Sequence, residues 1–114
     1  MSETFGKERR LTQKAQFRQV HARGRRYDTR WFSCYVLDTG CRDQVTRLGI
    51  TASKKTGRAY ARNRYKRWAR EVFRRLAVRE GADVVVRFYP AIETASFEQF
   101  RNALVRVFDR ARLL

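Results

Sequence analysis

Acidic residues are scarce in this chain: 11 Asp and Glu stand against 27 Lys and Arg. They are also scattered. Asp38 and Asp43 fall at a turn, and Glu93 and Glu98 flank a helix start, so no pair is placed for general acid–base work or two-metal chemistry. The single histidine, His21, has no evident carboxylate or nucleophile partner, which argues against a protein enzyme acting by itself. Cys34 and Cys41 form no Cys-x-x-Cys pair, and with one histidine they make no zinc constellation. Two reduced thiols and no metal-ligating set are therefore expected. No apolar run approaches the length of a membrane span. The N-terminal ten residues lack the apolar stretch of a secretory signal, so a cytosolic (cytoplasmic) protein without a membrane partner is expected.

What is present is positive charge. A net charge of +16 on 114 residues points to an RNA or DNA partner, and the length to one domain spanning 1–114. The charge concentrates between Lys54 and Leu76, where Glu71 is the only acid. From Tyr65 the apolar residues Tyr65, Trp68, Ala69, Val72, Phe73 and Leu76 follow i, i+3, i+4, i+7, i+8, i+11, one stripe of an amphipathic helix. Asn63, Arg67, Arg70 and Arg74 cluster opposite it, flanked by Arg64, Lys66 and Arg75. Solvated helix faces usually mix signs at i, i+4, but Lys66 and Arg70 are like charges at that spacing, which costs a few tenths of a kcal/mol. Such self-repulsion is better explained by phosphate binding than by solubility. Lys54, Lys55, Thr56, Gly57 and Arg58 lead into this helix, with Gly57 permitting a tight turn. They lack the Gly-x-x-x-x-Gly-Lys-Ser/Thr spacing of a nucleotide-binding loop.

The remaining chain reads as follows. Residues 1–10 are polar and expected to be flexible. Thr12 as N-cap and Gly24 as stop bound a helix over about 13–23, with Phe17, Val20 and His21 on one face. All three could pack inward, or Phe17 and His21 could sit half exposed beside a nucleic-acid groove. Arg25 to Arg30 is a basic connector with room for a short extended piece. Trp31 to Leu37 reads as a strand with Phe32, Cys34 and Val36 on one face and Ser33, Tyr35 and Leu37 on the other. Asp38 to Asp43 is a turn. Val45 to Ser53 is the next strand, with Leu48, Ile50 and Ala52 opposite Gly49, Thr51 and Ser53. The second face, small and hydroxylated with a Tyr beside it, is too poor for a core. It is either the wet side of a sheet or a bed for a single nucleic-acid strand. Asp83 to Tyr89 is a Val-rich, buried central strand ended by Pro90. Ser96 and Gln99 form a capping-box pattern, and Phe97, Phe100, Leu104, Val107, Phe108 and Ala111 make a second apolar stripe. The order helix, two or three strands, basic helix, strand, helix implies a single-domain α+β sandwich, a small central sheet covered by helices.

The stretch Ser53 to Glu71, with Arg62-Asn63-Arg64 followed by Lys66-Arg67 and Arg70, closely resembles the signature of the bacterial ribonuclease P protein component. The resemblance extends over nearly the whole chain, including Phe17, Val20, Tyr35, Leu48-Gly49-Ile50 and Val84-Val85-Val86. It implies a protein subunit of ribonuclease P, the endoribonuclease ribonucleoprotein that removes the 5′ leader of precursor tRNA. A large catalytic RNA with Mg²⁺, bound mainly by that RNA, carries the hydrolysis, and no catalytic residue is expected in the protein. Carried over, Lys54, Lys55, Arg62, Asn63, Arg64, Lys66, Arg67 and Arg70 would meet the catalytic RNA. Phe17, His21 and Tyr35 would line a groove for the single-stranded leader, with Ser33 and Thr51 as polar neighbours. The implied partners are the catalytic RNA and precursor tRNA, with no obligate protein partner. The family also implies a left-handed crossover around the basic helix, against the general right-handed rule. One departure is His21, where the family commonly has an aromatic hydrocarbon ring. Arg62 lies near the apolar stripe on a helical wheel and could precede the regular helix. A structural RNA-binding protein of the ribosome is the alternative reading of the same charge.

Overall fold

A computed structural model describes residues 7–114 of the chain. Three helices and four strands follow in the order α1 (Lys14–Arg23), β1 (Arg25–Asp28), β2 (Phe32–Asp38), β3 (Arg47–Thr51), α2 (Ala59–Arg75), β4 (Ala82–Phe88) and α3 (Phe97–Arg110). The strands form one sheet in the order β1-β2-β4-β3. β2 runs antiparallel to both β1 and β4, whereas β3 and β4 are parallel and joined through α2. The expected α+β sandwich is what the chain forms, and the basic connector contributes a third strand, β1, before α2.

The alternation read in the strands decides which layer each residue joins. Phe32, Cys34 and Val36 of β2 and Val84, Val86 and Phe88 of β4 enter the main core under α2 and α3. The stripes of both helices meet them there: Tyr65, Ala69, Val72 and Phe73 from α2, and Phe100, Leu104, Val107 and Phe108 from α3. On the opposite face Tyr35 and Val85 join Leu11 and Val20 in a smaller cluster under α1, with Phe17 and Leu37 against it. Two apolar layers thus sit back to back on one sheet.

Local signals fix the helix ends. Ser96 caps α3 as expected: its Oγ accepts from the Gln99 N–H at 3.1 Å, and the Gln99 side chain accepts from the Ser96 N–H at 2.9 Å. For α1 the cap is Gln13 rather than Thr12. The Gln16 side chain accepts from the N–H groups of both Thr12 and Gln13, at 3.0 Å each, which moves the helix start one residue on. Gly24 ends α1 through close approach: a Cβ there would lie 2.5 Å from the Val20 carbonyl oxygen. Gly57 turns the chain into α2 at φ +144°, a conformation that disfavours side chains.

The expectation of flexible residues 1–10 needs division. Residues 1–6 lie outside the described residues, but Lys7–Arg9 form a short 3-10 turn and Arg10 bridges to Leu48. The Leu11 N–H donates to the Leu48 carbonyl at 3.0 Å and its side chain is buried, so backbone pairing and apolar burial tie this segment to β3. The free thiols Cys34 and Cys41 are buried and exposed respectively, and burial pushes the Cys34 thiol well above its ordinary range.

Phe100 is fully buried and its ring meets Phe32 and Phe88 at 5.4 and 5.5 Å. Phe100→Ala should cost about 3–5 kcal/mol of unfolding free energy. Urea denaturation followed by circular dichroism measures it; a loss below about 1 kcal/mol would contradict this packing.

Candidate nucleic-acid interface

α2 carries its charge where the stripe dictates. With Tyr65, Ala69, Val72 and Phe73 buried, Asn63, Arg64 and Arg67 are exposed, and Lys66 and Arg70 half exposed. Lys54 and Lys55, in the 3-10 turn before the helix, are exposed beside its N-terminus. No acidic residue occupies the first turn of α2, so the positive end of the helix dipole adds to the side-chain charge. Arg62 lies inside the helix, not ahead of it: its N–H donates to the Arg58 carbonyl at 2.9 Å. It is half buried, with its Nε covered and lacking a hydrogen-bond partner among the described residues.

The ridge stops sooner than the helical wheel implied. Arg74 and Arg75 both pair with Glu71 at 2.8 Å, so the charge at the end of α2 is partly offset internally. No ion pair among the described residues involves Arg67 or Arg70. Burial, and then the neighbouring guanidinium of Arg10, lower the pKa of Arg70 from its ordinary value. Lys66 and Arg70 turn toward α1, where with Arg10, Leu11, Phe17, Leu48 and Ile50 they line a small cleft of about 90 Å³. The cationic ridge therefore runs into the space beside Phe17.

That space continues as an open groove of about 450 Å³ lined by Thr12, Lys14, Phe17, Arg18, His21 and Thr51. Phe17 is seated on Gly49: a Cβ at Gly49 would fall 2.7 Å from the Phe17 ring, so only glycine lets the ring lie against the sheet. His21 is exposed, with its ring 4.4 Å from that of Tyr35 in an edge-on arrangement. Burial, and then the charge of Arg87 on β4, lower the pKa of His21.

Phe17, His21 and Thr51 are thus brought together, but two expected groove residues are covered. Tyr35 is only 8% exposed, with His21 against it on one side and the Arg26 guanidinium 5.8 Å from its ring centroid on the other. Ser33 is 0% exposed. Its neighbours in register are Asp28 and Arg87, longer side chains that roof over a short one. It is thus removed from the groove surface. The hydroxyls of Ser33 and Thr51 are buried without a hydrogen-bond partner among the described residues. Sequence reasoning missed Arg26 and Arg87, both exposed on this same face. Alternation alone places Arg87 opposite the core-facing Val86 and Phe88, a signal that an otherwise apolar strand made easy to overlook.

Comparison with known proteins follows this geometry closely. The family model described as Ribonuclease P matches residues 5–112. The ribonuclease P protein component of Shouchella clausii is 34% identical over 110 residues, covering 95% of this chain and 89% of the relative. That of Clostridium kluyveri is 32% identical over 108 residues, covering 91% and 95%. Among solved structures, the RNase P protein of Staphylococcus aureus superposes with a TM-score of 0.84 at 28% identity, covering 94% of this chain and 98% of that one. The RNase P protein of Thermotoga maritima gives 0.78 at 30% identity, covering 89% and 96%. With the family model matched over residues 5–112 and relatives at 32–34% identity over nearly the whole chain, this chain belongs to the ribonuclease P protein family.

Proposed function

We propose that this chain, as the protein part of a ribonucleoprotein endoribonuclease, uses its two surfaces for two RNAs. The α2 ridge of Lys54, Lys55, Arg62, Asn63, Arg64, Lys66, Arg67 and Arg70 holds the catalytic RNA. The groove of Phe17, His21 and Thr51 holds the single-stranded 5′ leader of precursor tRNA. The observation that carries this reading is that Arg67 and Arg70 keep their charge unpaired on a helix whose other side is buried, next to a groove floored by an aromatic ring. Unpaired guanidinium groups on a rigid element suit phosphates, and a ring on an open face suits bases. The described residues gather no group of three or more His, Cys, Asp or Glu side chains. The Mg²⁺ expected from the resemblance belongs with the RNA. The protein's contribution is to position two RNAs and to screen their mutual repulsion.

The test is processing of precursor tRNA at low Mg²⁺ with catalytic RNA and protein supplied singly and together. Cleavage stimulated only by the pair supports the reading; cleavage by protein alone, or no stimulation, would overturn it. Arg67→Ala or Arg70→Ala should each weaken binding of the catalytic RNA, and the affinity of the parent protein should fall by orders of magnitude between roughly 50 and 200 mM salt. Unchanged binding in both variants would remove α2 from the interface.

A pH dependence follows from His21, which shares the groove with Lys14 and Arg18 of α1 and faces Arg87 of β4. In the free protein its pKa is depressed, so acidification below about pH 6.5 protonates the unfolded state first and lowers stability. A phosphate in the groove reverses the sign, because it favours the imidazolium and binding takes up a proton. Affinity for precursor tRNA should therefore rise from about pH 7.5 to about 5.5, and His21→Phe should flatten that rise. Parallel profiles for the two proteins would show that His21 does not meet the RNA.

A further inference from the structure

The covering of Tyr35 leaves open what the groove presents at its β1 end. Arg26 is the register partner of Tyr35 and projects from the same face of the sheet. Two of its three nitrogens, Nε and Nη2, are engaged. Nε lies 3.0 Å from the Asp28 carboxylate, and Nη2 donates to Asp28 at 3.2 Å and to the Tyr89 hydroxyl at 2.9 Å. Tyr89 in turn donates to Asp28. These holders come from two elements. Asp28 lies two residues along β1, and Tyr89 follows β4, where its N–H donates to the Trp31 carbonyl at 2.9 Å. The cluster therefore fixes Arg26 against the sheet even though its side chain remains 52% exposed.

This is the wrong geometry for a phosphate clamp. An arginine that grips phosphate turns its donors outward. Here the Nε–Nη2 edge that would grip a phosphate with two bonds faces a carboxylate and a phenol, and the Asp28 charge repels a phosphate placed beside Nη1. The side chain stays half exposed above Tyr35. A planar cation held along one edge and open to solvent offers a stacking surface for a nucleobase. It is also continuous with the groove, since His21, Tyr35 and Arg26 follow one another from α1 to β1. We propose that Arg26, held over Tyr35 by Asp28 and Tyr89, stacks on a base of the substrate's single-stranded segment at the β1 edge of the groove. Such a contact senses that a base is present and not its hydrogen-bonding edge, so it tolerates sequence.

The inference rests on the groove reading above, and one set of measurements separates them. The reconstituted holoenzyme is assayed for binding of precursor and mature tRNA, with single abasic nucleotides walked along the leader. Arg26→Lys keeps the charge and loses the plane. It should weaken precursor over mature tRNA by about fivefold or more, and make one abasic position that is costly for the parent harmless. Asp28→Asn and Tyr89→Phe should give smaller losses in the same direction. Normal binding by Arg26→Lys with a loss in Arg26→Ala would mean that charge alone matters, and would overturn stacking. An abasic penalty unchanged by Arg26→Lys would overturn it too. Phe17→Ala provides the separation: if it weakens precursor binding while Arg26→Lys does not, only the stacking fails, whereas no effect of either takes the groove reading with it. Melting curves confirm that the variants fold, and Arg26→Lys should leave binding of the catalytic RNA unchanged.

Discussion

Val84 and Val86 point from β4 into the core under α2 and α3, while Val85 between them points into the smaller core under α1. All three are completely buried. Burying a valine contributes about 1.5–3 kcal/mol, so these side chains together match a large part of the net stability expected of a domain this size, about 5–15 kcal/mol. The chain cannot lose either layer and remain folded. The two-faced strand consequently sets the distance and angle between α1 and α2. It fixes a cationic helix and an aromatic groove as neighbouring surfaces of one rigid body.

Electrostatics works against this arrangement in the free protein. Four acids hold arginines among the described residues: Asp83 binds Arg47 through two bonds at 2.8 and 2.9 Å, Asp28 holds Arg26, Asp38 meets Arg79, and Glu71 takes Arg74 and Arg75. The unpaired cations that remain, Lys66, Arg67 and Arg70 among them, lie within one or two helical turns of each other, where like charges repel. Apolar burial on the other side of α2 keeps them there. A polyanion would relieve the repulsion and bind the folded state preferentially.

Much of this was legible in the chain because the relevant periods are local. The stripe of α2, the alternation in β2 and β3, the continuous apolar run of β4 and the Ser96–Gln99 capping box each require only neighbouring residues. What escaped depends on distance. β1 reads as a connector because only Tyr27 of its four residues is buried, and its strand character comes from pairing with β2. The tie of Leu11 to Leu48, and the meeting of Arg26 with Tyr89, join parts of the chain that no local pattern relates. The covering of Ser33 and Tyr35 was hidden for the same reason: alternation gives a residue's face, but its exposure depends on what packs above. The pairing of Glu71 with Arg74 and Arg75 is different. Its i, i+3 and i, i+4 spacing was readable, and it trims the basic ridge to the part ending at Arg70.

Lys66 and Arg70 matter most to how the two surfaces act together. They rise from the ridge on α2, yet they line the cleft that holds Phe17 at the head of the groove. A phosphate can satisfy them, and the compact cleft leaves little room for two. On the proposed reading, the catalytic RNA and the leader approach one another across this pair of cations, where uncompensated phosphates would repel most strongly. Placing positive charge at that junction lowers the cost of bringing two polyanions together. On the same reading the groove would align the leader relative to the ridge, because both surfaces are anchored to the same strand through opposite faces. On that reading the protein would contribute to catalysis by fixing where two RNAs lie relative to each other.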